Sequence, residues 1–88
     1  MSGKARNITM DEADRGVEGN YANSLHVGFN SLEFVFDFSQ SYPGEEPARL
    51  CVRVVTSPGY AKAFFRVIEE SLQQYESMFR QIDEPEGQ

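Results

Sequence analysis

Three segments in the first two thirds of the chain alternate apolar and polar residues, which is the pattern of β-strands with one buried face. The first begins near Ser24, the second covers Leu32–Ser39, and the third covers Arg49–Thr56. The apolar positions that recur at every second residue are Leu25, Val27, Phe29, Leu32, Phe34, Phe36, Phe38, Leu50, Val52 and Val54. We expect a three-stranded antiparallel meander that carries all of these side chains on one face.

The connections between the strands are predicted from their turn residues. Asn30 and Ser31 fit a two-residue turn because Asn tolerates a positive φ, and such a turn places Phe29 opposite Leu32. The next segment, 40–48, contains two prolines and an acidic pair. Proline cannot donate to a strand ladder, so we expect an exposed loop there.

The opposite face of the predicted sheet carries charged side chains. Asp37 and Arg53 are expected to lie beside each other across two strands. His26, the only histidine, shares this face with Glu33 and Asp37. A metal needs three or more convergent ligands, which a flat sheet face does not supply, so no metal site is expected. Cys51, the single cysteine, is interpreted as half-buried and structural.

A long helix is predicted in the last third of the chain. Ser57 supplies a capping hydroxyl and Pro58 suits the first helical position. Apolar residues then recur at spacings of three and four, at Ala61, Phe65, Ile68, Leu72, Tyr75, Phe79 and Ile82. The predicted fold class is therefore α+β: the antiparallel meander followed by one long amphipathic C-terminal helix.

The predicted helix is longer than the predicted strands. From Pro58 to Ile82 it spans about 37 Å, whereas a seven-residue strand spans about 23 Å. The end of the apolar stripe is then uncovered, so we expect a homodimer or a tetramer. A monomer with a kinked helix is the alternative. The residues predicted to form the oligomer interface are Phe64, Ile68, Leu72, Tyr75, Phe79 and Ile82.

Composition sets the domain boundaries and excludes some classes of partner. Residues 1–20 and 83–88 have too little apolar content to fold, so they are predicted to be disordered tails around a single domain at 21–82. The net charge of −6 argues against nucleic acid and against anionic membranes as partners. Neither a membrane-length apolar run nor a signal peptide is present, and we expect a cytoplasmic protein.

Only the start of the helix offers a candidate small-ligand site. Free amides and the helix dipole near Ser57, Gly59 and Lys62 favour an anion such as phosphate. No residues in the sequence are arranged as a catalytic site, and we expect neither enzymatic activity nor a cofactor. The predicted function is a non-enzymatic oligomeric scaffold or adaptor that binds a protein partner. The alternative is a small-anion or nucleotide sensor at the helix start.

Several short motifs occur in order along the chain. They are Y-A-N at 21–23, E-F-x-x-D-F at 33–38, R-V-V-x-S-P at 53–58, A-K at 61–62 and Y-E at 75–76. Together they resemble a small bacterial and archaeal family known only as a domain of unknown function, over Asn20 to Ile82. The resemblance implies a small stand-alone protein and implies no activity. Within the first motif, Asn23 is expected to hydrogen-bond backbone at the entrance of the first strand.

Overall fold

The computed structural model describes residues 17–85, which form three strands and one helix. The elements are β1 (Ser24–Phe29), β2 (Phe34–Tyr42), β3 (Glu45–Thr56) and α1 (Pro58–Met78). The strands form one antiparallel sheet in the order β1-β2-β3. The predicted meander and C-terminal helix are confirmed. The tails predicted at the two ends lie largely outside the described residues. The chain divides near Pro58 into a sheet unit and a helix unit, which are described in turn.

β1 and β2 are joined by a four-residue loop, so the predicted two-residue turn is wrong. The Asn30 side-chain oxygen accepts hydrogen bonds from the amides of Leu32 and Glu33, both at 2.8 Å. No described residue other than glycine has a positive φ, which the predicted turn would require. Phe29 consequently pairs with Phe34, and Leu32 is excluded from the strand with 77% of its surface exposed. The register differs by two residues from the predicted one, so the strand residues keep their predicted faces.

β2 and β3 form a long hairpin where a loop was predicted. Tyr42 pairs with Glu45, and only Pro43 and Gly44 lie between the strands. Gly44 has a φ of 82°, as the third residue of a type II turn requires, and proline suits the second position. Pro47 lies in a stretch of β3 where the pairing with β2 is irregular, so its missing amide hydrogen is tolerated. The prolines therefore form the turn and its irregular flank instead of ending the strands.

A register shift in the β2–β3 ladder changes the position of Leu50. Phe38 pairs with Val52, whereas the next residue, Ser39, pairs with Leu50. Cys51 is therefore an extra residue in β3. Paired residues of an antiparallel ladder share a face, so Leu50 lies on the side of Ser39 and not on the side of Val52. The prediction that Leu50 continues the apolar face is wrong.

The pairing creates two chemically different faces of the sheet. Phenylalanine rings contact each other on one of them, with centroids 5.4 Å apart for Phe29 and Phe34 and 6.4 Å apart for Phe34 and Phe36. We call this side the aromatic face; it consists of Leu25, Val27, Phe29, Phe34, Phe36, Phe38, Val52 and Val54. The opposite side, called the polar face, carries His26, Asp37 and Arg53 in one cross-strand row and Gly28, Val35 and Val55 in the next.

The helix is shorter than predicted. It ends at Met78, after 21 residues or about 31 Å. Beyond it, the Phe79 amide still donates to the Tyr75 carbonyl at 2.8 Å, and the Glu76 carboxylate accepts from the Ile82 amide at 3.0 Å. Meanwhile β3 has 12 residues and spans about 40 Å. The helix is thus longer than β1, which has 6 residues and spans about 20 Å, but shorter than β3, so the predicted length mismatch is reduced.

Burial gives a different reason to consider assembly. Within residues 17–85, no hydrophobic side chain is buried, and the one buried residue is Ser39, with 6% exposed. The phenylalanines predicted as core therefore do not form one in the single chain: Phe34, Phe36 and Phe38 are half-buried, and Phe29 is 75% exposed. Both units thus carry apolar surface that remains open to solvent.

Candidate interaction surfaces

The helix presents an apolar stripe along one side. Phe65 and Ile68 on this stripe are 62% and 58% exposed. Rings at a spacing of four residues contact each other along it, with centroids 6.3 Å apart for Tyr60 and Phe64 and 5.0 Å apart for Tyr75 and Phe79. All six predicted interface residues are exposed, namely Phe64, Ile68, Leu72, Tyr75, Phe79 and Ile82. The last two lie beyond the end of the helix, so the apolar stripe of α1 is defined here as Phe64, Phe65, Ile68, Leu72 and Tyr75.

The aromatic face of the sheet is also open. Leu25, Val27 and Phe29 on β1 are at least 45% exposed, and Val54 on β3 is 37% exposed. The central strand β2 supplies the half-buried phenylalanines. This face has no charged residue in its three cross-strand rows. Sequence periodicity predicted which residues share this face. It could not predict that they are exposed, because strands with a buried apolar face and strands with an exposed one show the same alternation.

The polar face is organised around one ion pair. The Arg53 guanidinium donates from Nε to Asp37 Oδ1 at 2.7 Å and from Nη2 to Oδ2 at 2.8 Å, which confirms the predicted contact. These hydrogen bonds from Arg53 lower the pKa of Asp37, and His26 on the other neighbouring strand adds a smaller lowering effect. Asp37 in turn raises the pKa of Arg53. Within residues 17–85, no group of three or more His, Cys, Asp or Glu side chains is placed to hold a metal ion.

Asn23 joins the entrance of β1 to β2. Its side-chain amide donates to the Ser41 carbonyl at 3.0 Å and accepts from the Ser41 backbone amide at 2.9 Å. The backbone amide of Asn23 donates to the Ser39 carbonyl at 3.0 Å. Gln40 donates to the Tyr21 carbonyl at 2.9 Å. The predicted backbone hydrogen bonding by Asn23 is confirmed. The side chain of Asn23 makes the two hydrogen bonds that a backbone peptide group would make in the ladder, one residue before β1 begins.

The helix start keeps the residues of the predicted anion site close in sequence. Ser57 directly precedes α1, and Gly59 and Lys62 are exposed residues in its first two turns. The first turn contains no acidic residue. A helix terminus of this kind favours negative charge in general. Nothing further among the described residues points to a bound anion there. Cys51 carries a free thiol, with Sγ 3.7 Å from the Tyr21 carbonyl oxygen.

These features define a small α+β protein with two exposed apolar faces, one on a three-stranded sheet and one on a helix. α1, the helix of the described chain, is not apolar enough to cross a membrane. The chain belongs to the DUF3467 family, described as a protein of unknown function, and the family match covers residues 1–84. The family resemblance seen in the motifs is thereby confirmed, and the match extends further towards the N-terminus than those motifs. No curated protein and no solved structure matches the chain.

Proposed function

We propose that this protein is a non-enzymatic scaffold or adaptor that works as a homo-oligomer, with the dimer as its basic unit. One observation carries the proposal: no hydrophobic side chain within residues 17–85 is buried, although large apolar side chains line both the sheet and the helix. Burial of apolar surface is the main favourable term in folding. A chain that leaves this surface in water needs a second surface to cover it.

The energetic argument favours permanent assembly over occasional contact. A side chain of the size of Phe, Leu or Ile contributes about 1.5–3 kcal/mol when it moves from water to a buried site. Domains of about 60 residues are marginally stable even with a complete core. Since the single chain obtains little of this contribution, the folded state and the assembled state are expected to form together. The stability of the protein should then depend on its concentration.

If the apolar surfaces are covered in the assembly, the polar face of the sheet remains exposed for a further partner. Arg53 is 59% exposed on its side chain while it holds Asp37, so this row presents an ordered pair of charges to solvent. A protein partner of the assembled scaffold is proposed to bind there. The proposal includes a cytoplasmic location, with which the unpaired thiol of Cys51 is compatible.

Absolute mass in solution tests the proposal. Light scattering across a range of concentrations is expected to give a stable multiple of 10.0 kDa for the wild type. Ile68→Glu places a charge in the apolar stripe and should dissociate the assembly. Gln73→Glu is the matched control, because it adds the same group to the polar side of the same helix. A folded wild-type monomer of 10.0 kDa would refute the proposal.

A further inference from the structure

We infer that in the homodimer the apolar stripe of each copy's α1 covers the aromatic face of the other copy's sheet. The hydrophobic core is then built entirely between two chains. This inference rests on the proposed function, since it requires a dimer, and it names the surfaces that form it. The argument uses the dimensions of the two surfaces, their chemistry and the area they leave exposed.

The two surfaces match in size. A three-stranded sheet is two interstrand spacings wide, which is about 10 Å between the outer strands. A helix with its side chains is about 10–12 Å in diameter. One helix therefore covers the aromatic face from β1 to β3. Along the strands, that face extends over three cross-strand rows, from Leu25–Phe38–Val52 to Phe29–Phe34. The 21-residue α1 is long enough to pass over all three rows.

The two surfaces also match in chemistry. The aromatic face consists of Leu, Val and Phe side chains and the apolar stripe of Phe, Ile, Leu and Tyr side chains, and the three cross-strand rows of the aromatic face hold no charged residue. A sheet with one apolar face and a helix with one apolar stripe are the two halves of a two-layer domain. Each chain holds one of each half, and both are open. A two-fold dimer therefore closes both pairs of surfaces at once.

The exposed area fits a partner of the same kind. Nine side chains of the two surfaces are exposed by between 37% and 75%: Leu25, Val27, Phe29, Val54, Phe64, Phe65, Ile68, Leu72 and Tyr75. At about 150 Å² for a large apolar side chain, they leave roughly 700 Å² to cover on each chain. A stable protein interface buries about 800 Å² per partner. A foreign protein that covers one surface would leave the other open, whereas a second copy covers both.

Complementation between two variants tests the arrangement. Val27→Glu damages the aromatic face and leaves the helix intact, while Ile68→Glu damages the apolar stripe and leaves the sheet intact. Each variant alone should fail to form a folded dimer. An equimolar mixture, refolded from urea, should form a heterodimer, because the helix of the first variant and the sheet of the second are both undamaged. Native mass spectrometry of chains with different tags measures this heterodimer directly.

The control places the same two substitutions on one chain. A Val27→Glu, Ile68→Glu double variant mixed with the wild type has no intact pair of surfaces in the heterodimer. We expect at least about tenfold less heterodimer than in the first mixture, which corresponds to a difference of about 1.4 kcal/mol in association. Equal heterodimer yields in the two mixtures would overturn the inference.

Cysteine pairing provides a second readout that does not depend on destabilised variants. In a Cys51→Ser background, one chain carries Val27→Cys and a differently tagged chain carries Ile68→Cys. Oxidation should join the two chains. When both cysteines are on one chain and it is mixed with excess Cys51→Ser chain, an intrachain disulfide would overturn the inference. A wild-type dimer with no complementation and no interchain disulfide would overturn the inference alone, whereas a wild-type monomer would overturn the proposed function as well.

Discussion

Gly44 and Gly28 provide a matched pair of positions at which the same added methyl group should have opposite effects on stability. Gly44, in the β2–β3 turn, has a φ of 82°, whereas Gly28, inside β1, does not have a positive φ. A Cβ atom added at either position meets no other atom within 4 Å. Steric contact within the chain is therefore the same for Gly44→Ala and Gly28→Ala, and only the backbone conformation differs.

The magnitudes follow from the backbone alone. A left-handed conformation costs an L-residue other than glycine about 1–2 kcal/mol. Replacing glycine by alanine also restricts the unfolded chain, which stabilises the protein by about 0.4–1 kcal/mol where the conformation is compatible. The free energy of unfolding should thus fall by about 1 kcal/mol for Gly44→Ala and rise by about 0.5 kcal/mol for Gly28→Ala.

Urea unfolding measures both variants, and the protein concentration must be held constant because the proposed assembly would contribute to stability. For a domain of this size, 1 kcal/mol corresponds to a change in Tm of about 4–8 °C, so thermal unfolding resolves the effect as well. Gly44→Asn should lose less than Gly44→Ala, since Asn tolerates the left-handed region better. If the two alanine variants shift stability equally and in the same direction, the conformational reasoning is refuted.

The β1–β2 loop and the ion pair of the polar face give two further tests. Asn30→Ala removes the acceptor of two backbone amides and should lower the free energy of unfolding by about 1 kcal/mol. Asn30→Asp keeps an oxygen at the same position and should be nearly neutral at pH 7; equal losses in the two variants would contradict the assigned role. For the pair, hydrogen bonds from Arg53 hold the pKa of Asp37 below its ordinary value of 3.8. The unfolded chain then binds the proton at higher pH than the folded chain. The stabilisation by the pair is complete above the ordinary pKa of 3.8, and it is lost as the pH falls through the lowered pKa of the folded state. Urea midpoints measured from about pH 5 down to pH 2 should therefore decline less steeply in Arg53→Met than in the wild type, and parallel curves would contradict this.

Alternation along the strands predicted which side chains share a face, but it does not distinguish registers that differ by two residues. The β1–β2 register was wrong by this amount, because the side chain of Asn30 stabilises a longer loop than the two-residue turn. The β2–β3 register near Asp37 and Arg53 was predicted correctly, since the charged pair selects one register among those with equivalent faces. Specific polar contacts therefore supplied what the apolar pattern left open.

Other differences have local causes. Two prolines in segment 40–48 led to the prediction of a loop, whereas Pro43 and Gly44 form a tight turn. The extra residue Cys51 places Leu50 on the other face of the sheet. The end of the helix at Met78 has no glycine or proline to mark it. Burial could not be predicted, because the same alternating pattern describes a buried core and an apolar face that is open to solvent.

The hydrogen bonds of Asn23 also bear on how a newly made chain avoids joining the wrong partner. β2 extends past β1, and beyond Ser39 its edge is a potential template for another strand. The Asn23 amide occupies both the amide and the carbonyl of Ser41, in the pattern that an invading strand would use. A chain that still has its apolar surfaces uncovered is at its greatest risk of aggregation, and Asn23 limits strand addition at this end of the sheet. Asn23 thereby disfavours indefinite growth through backbone pairing at this part of the sheet edge.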